Sequence, residues 1–299
     1  TDFMNGDTVQ FALRTYHMET AKANGDFDKY AMTSETGRAT FLLWFNMHRQ
    51  TFENVADGAA ASQKTDEQKE VANAALQNKH FRLAIAHSID RATYISQNVG
   101  EDLKSISIRN TLTPGTYVSL EEDATIDING EPTTFPAGTW YGEIVQAQLD
   151  ADGFPVTVWD DELQDSDGWD AWYNPELAAQ ELAIAIEELA TLGYEVTEEN
   201  PIVIDYPCLT INEISQNQGY VLKTCIEEAL GGLVRFDLPE LNSATESANV
   251  WNNANSGAEF NYDMGGLGTV GSDHGDPQCY TEGLLPYGDG HMTQRMGMW

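Results

Sequence analysis

Several short runs in this sequence have spacings that could do chemistry. Gly266, Gly268 and Gly271 spell G-x-G-x-x-G after a strand-like stretch, the pattern that cradles a pyrophosphate at a helix N-terminus. The run that follows, SDHGDP, is a turn and not a helix, and no ribose-binding acid sits in a suitable strand-helix-strand unit, so dinucleotide binding is not the reading. DINGE invites a calcium loop, but Thr125 stands where an Asp is required and Pro136 where the closing Glu belongs. His17, His48, His80, His87, His274 and His291 show no H-x-x-x-H or Cys/His clustering, which leaves no transition-metal site and no cofactor to expect. Paired carboxylates arise by chance in so acidic a chain, and neither a G-x-S-x-G elbow nor a Cys/His pairing accompanies them.

Two further groups bear on binding. Arg82 and Asp90 lie eight residues apart, about two helical turns, and read as a salt-bridging pair more than as ligand contacts. Trp44, Trp140, Trp159, Trp169 and Trp172 could line a cleft or fill a core.

The balance of 48 acidic against 15 basic residues gives a net charge of −33, which disfavours nucleic acid and anionic lipid and suits a dispersed, secreted or surface protein. No run of 18 apolar residues occurs, and the first residues lack a signal-peptide pattern, so the chain reads as a mature segment. Cys208, Cys225 and Cys279 are too few for a disulfide scaffold; one bridge, best Cys208 with Cys225, or none are both open.

The elements that must position any site follow from periodicity. DTVQFALR alternates like a strand and TFLLWFN (Thr40 to Asn46) reads as a second, apolar strand, with a short helix, HMETAKANGD, between them. A small, polar run from Asp57 and the exposed helix DEQKEVANAALQ read as a surface insertion near residues 50–78. KHFRLAIAHSIDRATYISQNVG carries one apolar face from end to end and stops at Gly100. Asn129-Gly130 predicts a tight hairpin. Pro175 opens a helix with Ala178, Leu182, Ala185, Leu189 and Leu192 on one stripe, closed by Gly193. PIVIDYP, the helix INEISQNQGYVLKTCIEEALG and GLVRFDL then form a strand, helix, strand unit suited to parallel pairing, so the class is α/β.

Taken in order, these segments resemble the family 5 extracellular solute-binding proteins, the peptide-capturing components of ABC importers. TFLLWFN is similar to the family's strand ending in Asn. In HFRLAIAHSIDRATYI, Arg82, Ala84, Ile89, Asp90 and Arg91 match the family helix, with Phe81 for its usual Val and Ser88 for its usual Ala. LTPGTYV (Leu112 to Val118) and YNPELAAQELAIAIEELATLGYE resemble two further landmarks. NYDMGGLGTVGSDHGDPQCY resembles the family's Tyr-Asp strand and its Asp-Tyr-x-Asp/Glu-Pro loop, matched by Asp273, Asp276 and Pro277, with Val270 at the usual Trp and His274 at the usual aromatic.

The resemblance implies one lobe of a periplasmic-binding-protein-like fold (type II, peptide-binding class), a mixed sheet with flanking helices over 1–299, the other lobe being absent. It implies no catalysis and a ligand site at Asp273, His274, Gly271 and Val270, with Asp273 holding a peptide α-ammonium; turn capping by Asp273 stays open beside this. It further implies short peptides and permease subunits as partners, a monomer, and an extracellular or periplasmic place with a lipoprotein anchor. Binding of an oligosaccharide or a nickel chelate by the same fold, a secreted carbohydrate-active enzyme, and an adhesion or signalling protein are the alternatives.

Overall fold

A computed structural model of the protein describes residues 2–11, 13, 15–33, 39–52, 62–251, 257–271, 278–285 and 291–298. Three helices come first, α1 (Asp2–Asn5), α2 (Thr15–Asn24) and α3 (Phe27–Tyr30), before strand β1 (Thr40–Phe45). Residues 7–11 and 13, expected to extend as a strand, form none. Alternation alone makes a strand only where a partner edge lies alongside it.

The helix expected to be exposed is α4 (Asp66–Gln77), and it is part of the core instead. Val71, Ala72, Ala75 and Leu76 are buried against β4 (Ile202–Asp205), while Asp66, Glu67, Glu70 and Gln77 are its exposed positions. A capping box starts it: Gln68 N–H donates to Thr65 Oγ1 at 3.2 Å, and Thr65 N–H to Gln68 Oε1 at 3.0 Å.

The long helix read through Asp90 is two helices, α5 (Lys79–Ser88) and α6 (Arg91–Val99). Asp90 breaks them apart because its carboxylate accepts Thr93 N–H at 2.9 Å and Thr93 Oγ1–H at 2.6 Å, the N-cap geometry of a new helix. Arg82 and Asp90 therefore share no helical face; Arg82 Nη1 donates to Leu76 O at 2.7 Å.

The hairpin forms as expected, β2 (Ala124–Ile128) against β3 (Glu131–Phe135), with Asn129 and Gly130 at φ 52° and 84°. Helix α7 (Tyr141–Ala151) follows, then α8 (Pro175–Thr191), whose Ala178, Leu182, Ala185 and Leu189 are buried. Leu192 is exposed, since it stands at the C-cap, beyond the last full turn.

Strand β4 carries on into the short β5 (Cys208–Leu209), and α9 (Glu213–Leu230) crosses over to β6 (Val234–Asp237) and β7 (Glu240–Leu241). The pairings are parallel, Ile202 opposite Val234 and Cys208 opposite Glu240, so the expected strand, helix, strand unit is present. All four residues of β4 are buried because helices cover both of its faces. On the other side of β6, α9 supplies side chains to the strand backbone: Lys223 Nζ donates to Phe236 O at 2.7 Å and Glu227 Oε1 accepts Phe236 N–H at 2.9 Å.

After α10 (Ala244–Trp251), strand β8 (Met264–Val270) returns antiparallel to β1, Phe45 opposite Met264 and Thr40 opposite Val270. Two short helices, α11 (Gln278–Thr281) and α12 (His291–Arg295), close the chain. The main core joins α4, α5, α8 and α9 to β4 and β6, with Leu76, Phe81, Ile85, Leu189, Ile202, Ile204, Leu222 and Phe236 fully buried, each contributing roughly 1.5 to 3 kcal/mol. A second cluster, Trp44, Leu241, Val250, Phe260, Tyr262, Tyr280 and Met292, lies where β1 and β8 meet the last helices. Cys208, Cys225 and Cys279 are free thiols, so the bridge left open on the sequence is not made. No helix of the described residues is long and apolar enough to cross a membrane.

Candidate ligand-binding site

The site begins where the sheet divides. Asp263 N–H donates to Asp205 O at 3.1 Å, which ties the start of β8 to the end of β4. Beyond that tie the two chains part. Residues 206–210 follow the β7 side, with Cys208 N–H on Pro239 O at 2.8 Å and Thr210 N–H on Leu241 O at 2.9 Å, while β8 follows β1. A cavity of about 260 Å³ occupies the fork, with Tyr206, Pro207, Cys208 and Leu209 on one arm and Trp44 and Gly266 on the other. Ser215 and Gln218 of α9, Ser247 and Trp251 of α10, and Arg295 of α12 complete its wall.

Glycine allows the arms to come this close. A Cβ on Gly265 would lie 2.6 Å from the Trp44 ring, and one on Gly266 would lie 2.6 Å from the Tyr206 hydroxyl and 2.8 Å from Leu43 Cδ2. The Trp44 ring is then held in place, its Nε1–H donating to Tyr262 Oη at 3.2 Å, and the Tyr262 hydroxyl donating to Arg295 O at 3.0 Å. Trp251 packs on Tyr262 with centroids 4.7 Å apart.

Burial pushes the Tyr206 hydroxyl well above its ordinary range, and burial with the charge of Glu240 pushes the Cys208 thiol up to about 11. Both stay neutral. Among the described lining residues there is no carboxylate and no imidazole, so the wall offers aromatic surface, hydroxyl and amide groups and one guanidinium. That is equipment for contact and hydrogen bonding.

Beside the fork, next to Tyr206 and Met264 in sequence, lies a buried cluster of four charges. Arg49 Nη1 donates to Asp205 Oδ2 at 2.7 Å and to Asp263 Oδ1 at 2.8 Å, and its Nη2 donates to Asn261 Oδ1 at 2.7 Å. Lys64 Nζ bonds Asp263 and lies 3.3 Å from Asp205 Oδ2. Ser62 Oγ–H and the Asp205 N–H add bonds of 2.6 and 2.7 Å to Asp205 Oδ2 and Asp263 Oδ2 respectively. Two cations face two anions, and the Phe52 ring lies 4.2 Å from the Arg49 guanidinium. Burial raises the Asp263 carboxyl, but Arg49 and Lys64, with bonds from Lys64 and the Asp205 N–H, hold it below the usual carboxylate range. The opposing carboxylates likewise outweigh burial at Arg49 and raise its guanidinium.

Of the residues singled out on the sequence, Gly271 follows β8 at φ +84°, with its N–H on Cys279 O at 3.3 Å, and a Cβ there would lie 2.3 Å from the Tyr280 ring. Val270 ends β8 opposite Thr40. Asp273 and His274 lie outside the described residues. The G-x-G-x-x-G run is strand β8 and the residue that ends it, not a phosphate loop. Arg91 of the matched helix motif holds the acidic loop: Asp170 accepts Arg91 Nε–H at 2.7 Å and Arg91 N–H at 2.8 Å.

Among the five tryptophans considered, Trp44 alone is in the cavity wall; Trp172 stacks on His87 at 5.9 Å and Trp169 bonds Thr157 O at 3.1 Å. Sequence reading missed Tyr206, Trp251 and Arg295. Tyr206 had a signal, since an aromatic at the carboxyl end of a parallel strand stands where α/β sheets bind ligands. Trp251 and Arg295 had none short of the tertiary fold.

No protein-family model matches the chain. Oligopeptide-binding protein SarA of Streptococcus gordonii is 27% identical over 277 residues, covering 91% of this chain and 37% of that protein. Oligopeptide-binding protein AliA of Streptococcus pneumoniae is 29% identical over 251 residues, covering 83% of this chain and 33% of that protein. The chain thus spans about a third of the length of the curated relatives it matches. Among solved structures, OppA of Listeria monocytogenes bound to peptide superposes with a TM-score of 0.50 at 16% identity, covering 100% of this chain and 42% of that one, a likeness of fold. The α/β lobe expected from the sequence is the fold found, and the chain is a homologue of the oligopeptide-binding proteins, built on the periplasmic-binding-protein-like fold.

Proposed function

We propose that the chain forms one wall of an extracellular substrate-binding component of an ABC importer, which captures short peptides between two lobes and delivers them to permease subunits. The observation that carries this reading is the fork between residues 206–210 and β8. Two diverging strand edges, floored by aromatic rings, suit an extended peptide that adds its backbone to the sheet and lays side chains into the cavity. The oligopeptide-binding relatives and the OppA fold support it. The protein acts as a monomer without a cofactor, and binding is its task and not catalysis. Residues 1–299 supply a single lobe, the other lobe coming from chain beyond this sequence, and a lipoprotein anchor holds the whole at the membrane surface.

At the end of β8, Val270 and Gly271 lead into the ligand loop, where Asp273 holds the peptide α-ammonium beside His274; the match of Asp273, Asp276 and Pro277 to the family loop motivates this. Native mass spectrometry of the natural full-length protein purified from its cells is expected to show heterogeneous short peptides bound. Protein that carries none, and takes up none from a peptide mixture, overturns the reading. Asp273→Asn is expected to weaken free-amine peptides roughly tenfold or more while leaving N-acetylated ones nearly unchanged. Equal loss for both removes Asp273 from the site.

A further inference from the structure

Gln218 is the least expected residue of the cavity wall. Glutamine is seldom buried, and a buried amide normally has its polar atoms paired. Gln218 is nevertheless only 5% exposed, in the interior of α9, and half of its amide is engaged. Its Nε2–H donates to Tyr94 O at 3.4 Å, while among the described residues nothing donates to its Oε1. The neighbouring Gly219 brings this part of α9 hard against the fork, since a Cβ there would lie 3.0 Å from Cys208 Sγ. With the nitrogen committed to the Tyr94 carbonyl on α6, turning the amide over would set oxygen against oxygen, so Gln218 offers the cavity an acceptor. Ser215, one turn earlier on α9, and Ser247 carry hydroxyls, which donate or accept as a ligand requires. The Gln218 oxygen has no such choice.

We propose that Gln218 sets the specificity of this cavity, its Oε1 accepting an N–H or O–H that the bound peptide lays into the fork. Water meets that oxygen while the cavity is open. An apolar side chain that displaces the water leaves the oxygen buried and unpaired, and is rejected for that reason. The matching group is a neutral donor, a side-chain amide or a backbone N–H, while Trp44, Trp251 and Tyr206 cover the apolar part of the same peptide residue. The assignment rests on the peptide-capture reading above.

The test uses the full-length protein and short alanine-based peptides that carry, at each position in turn, Asn, its near-isostere Leu, or N-methylalanine. Affinities are measured by titration calorimetry for the native protein and for Gln218→Met and Gln218→Asn. At one position the native protein is expected to favour Asn over Leu, or alanine over N-methylalanine, by roughly tenfold or more. The first result places the donor on the side chain and the second on the backbone. Gln218→Met, which keeps the length of the side chain and removes the acceptor, is expected to erase that preference. Its unchanged profile at the other positions shows that the variant is folded. Gln218→Asn withdraws the oxygen by one methylene but keeps the amide, and is expected to lose the preference at the same position, which decides the matter should the Met variant not fold. If the native protein shows neither preference at any position, or if its preference survives in either variant, the role of Gln218 is overturned and peptide capture stands. If it binds no peptide at all, both readings fall.

Discussion

Lys64→Met puts the buried charge cluster to its severest test. The Lys64 side chain is fully buried, bonded to Asp263 and 3.3 Å from Asp205 Oδ2. Removing its charge leaves two buried carboxylates facing the single guanidinium of Arg49. Breaking a buried pair in this way costs about 3 to 5 kcal/mol, far more than the net worth of the intact pair, because the desolvated partner remains. Urea unfolding followed by tryptophan fluorescence reads the loss directly. The companion variant Lys64→Met/Asp205→Asn restores neutrality, one cation against one anion, and its cost is expected to fall clearly below the sum of the two single losses, a coupling of about 1 to 3 kcal/mol. A loss below about 1 kcal/mol for Lys64→Met, or strictly additive losses, would refute the cluster as a coupled unit.

The same cluster sets an acid limit. Asp263 has its carboxyl held below the usual range in the folded protein, so its contribution is present above the unfolded carboxylate value near pH 4 and is lost as pH falls through the lower folded value. Asp263→Asn is expected to be less stable at neutral pH and to show a shallower acid limb.

Two predictions address the frame around the cavity. Gly266→Ala puts a Cβ within 2.6 Å of the Tyr206 hydroxyl and 2.8 Å of Leu43, so the arms must spread; a loss of about 1 to 3 kcal/mol in thermal unfolding and weaker peptide binding are expected together. A silent Gly266→Ala would show that the close approach is not required. Asp170→Ala removes the acceptor of Arg91 Nε–H at 2.7 Å and of Arg91 N–H at 2.8 Å, and is expected to cost about 1.5 to 3 kcal/mol and to expose the loop at Trp169 to proteolysis; unchanged cleavage there would count against Asp170 as the loop's fastener.

The elements with strong local signals were legible in the sequence. Pro175 and the Ala178 to Leu189 stripe dictate α8, Asn129-Gly130 dictates its hairpin, and the β4, α9, β6 unit follows from an apolar run, a long amphipathic helix and a second run. Competition between equally local signals caused the errors. Apolar periodicity runs straight through Asp90, yet a carboxylate that caps Thr93 outbids one more helical turn. Helix α4 looked exposed because its many polar residues outnumber the four that it buries. The cavity was the least legible part, since Trp44, Tyr206, Trp251, Gly266 and Arg295 come together only through tertiary pairing, and no spacing in the chain announces it.

The side chains that α9 lends to β6 have a consequence for how this protein behaves in a crowd. A strand whose outer backbone is bare is a template on which a second molecule can continue the sheet. At Phe236 that invitation is withdrawn within the molecule: Lys223 takes the carbonyl and Glu227 the N–H, so an incoming strand finds both positions occupied. The two side chains also bond each other at 2.6 Å, which keeps the blockade in register. The net charge of −33 makes copies of this chain repel one another, and this local latch acts at contact range. At Phe236, therefore, the strand presents no open backbone pair on which a second copy could extend the sheet.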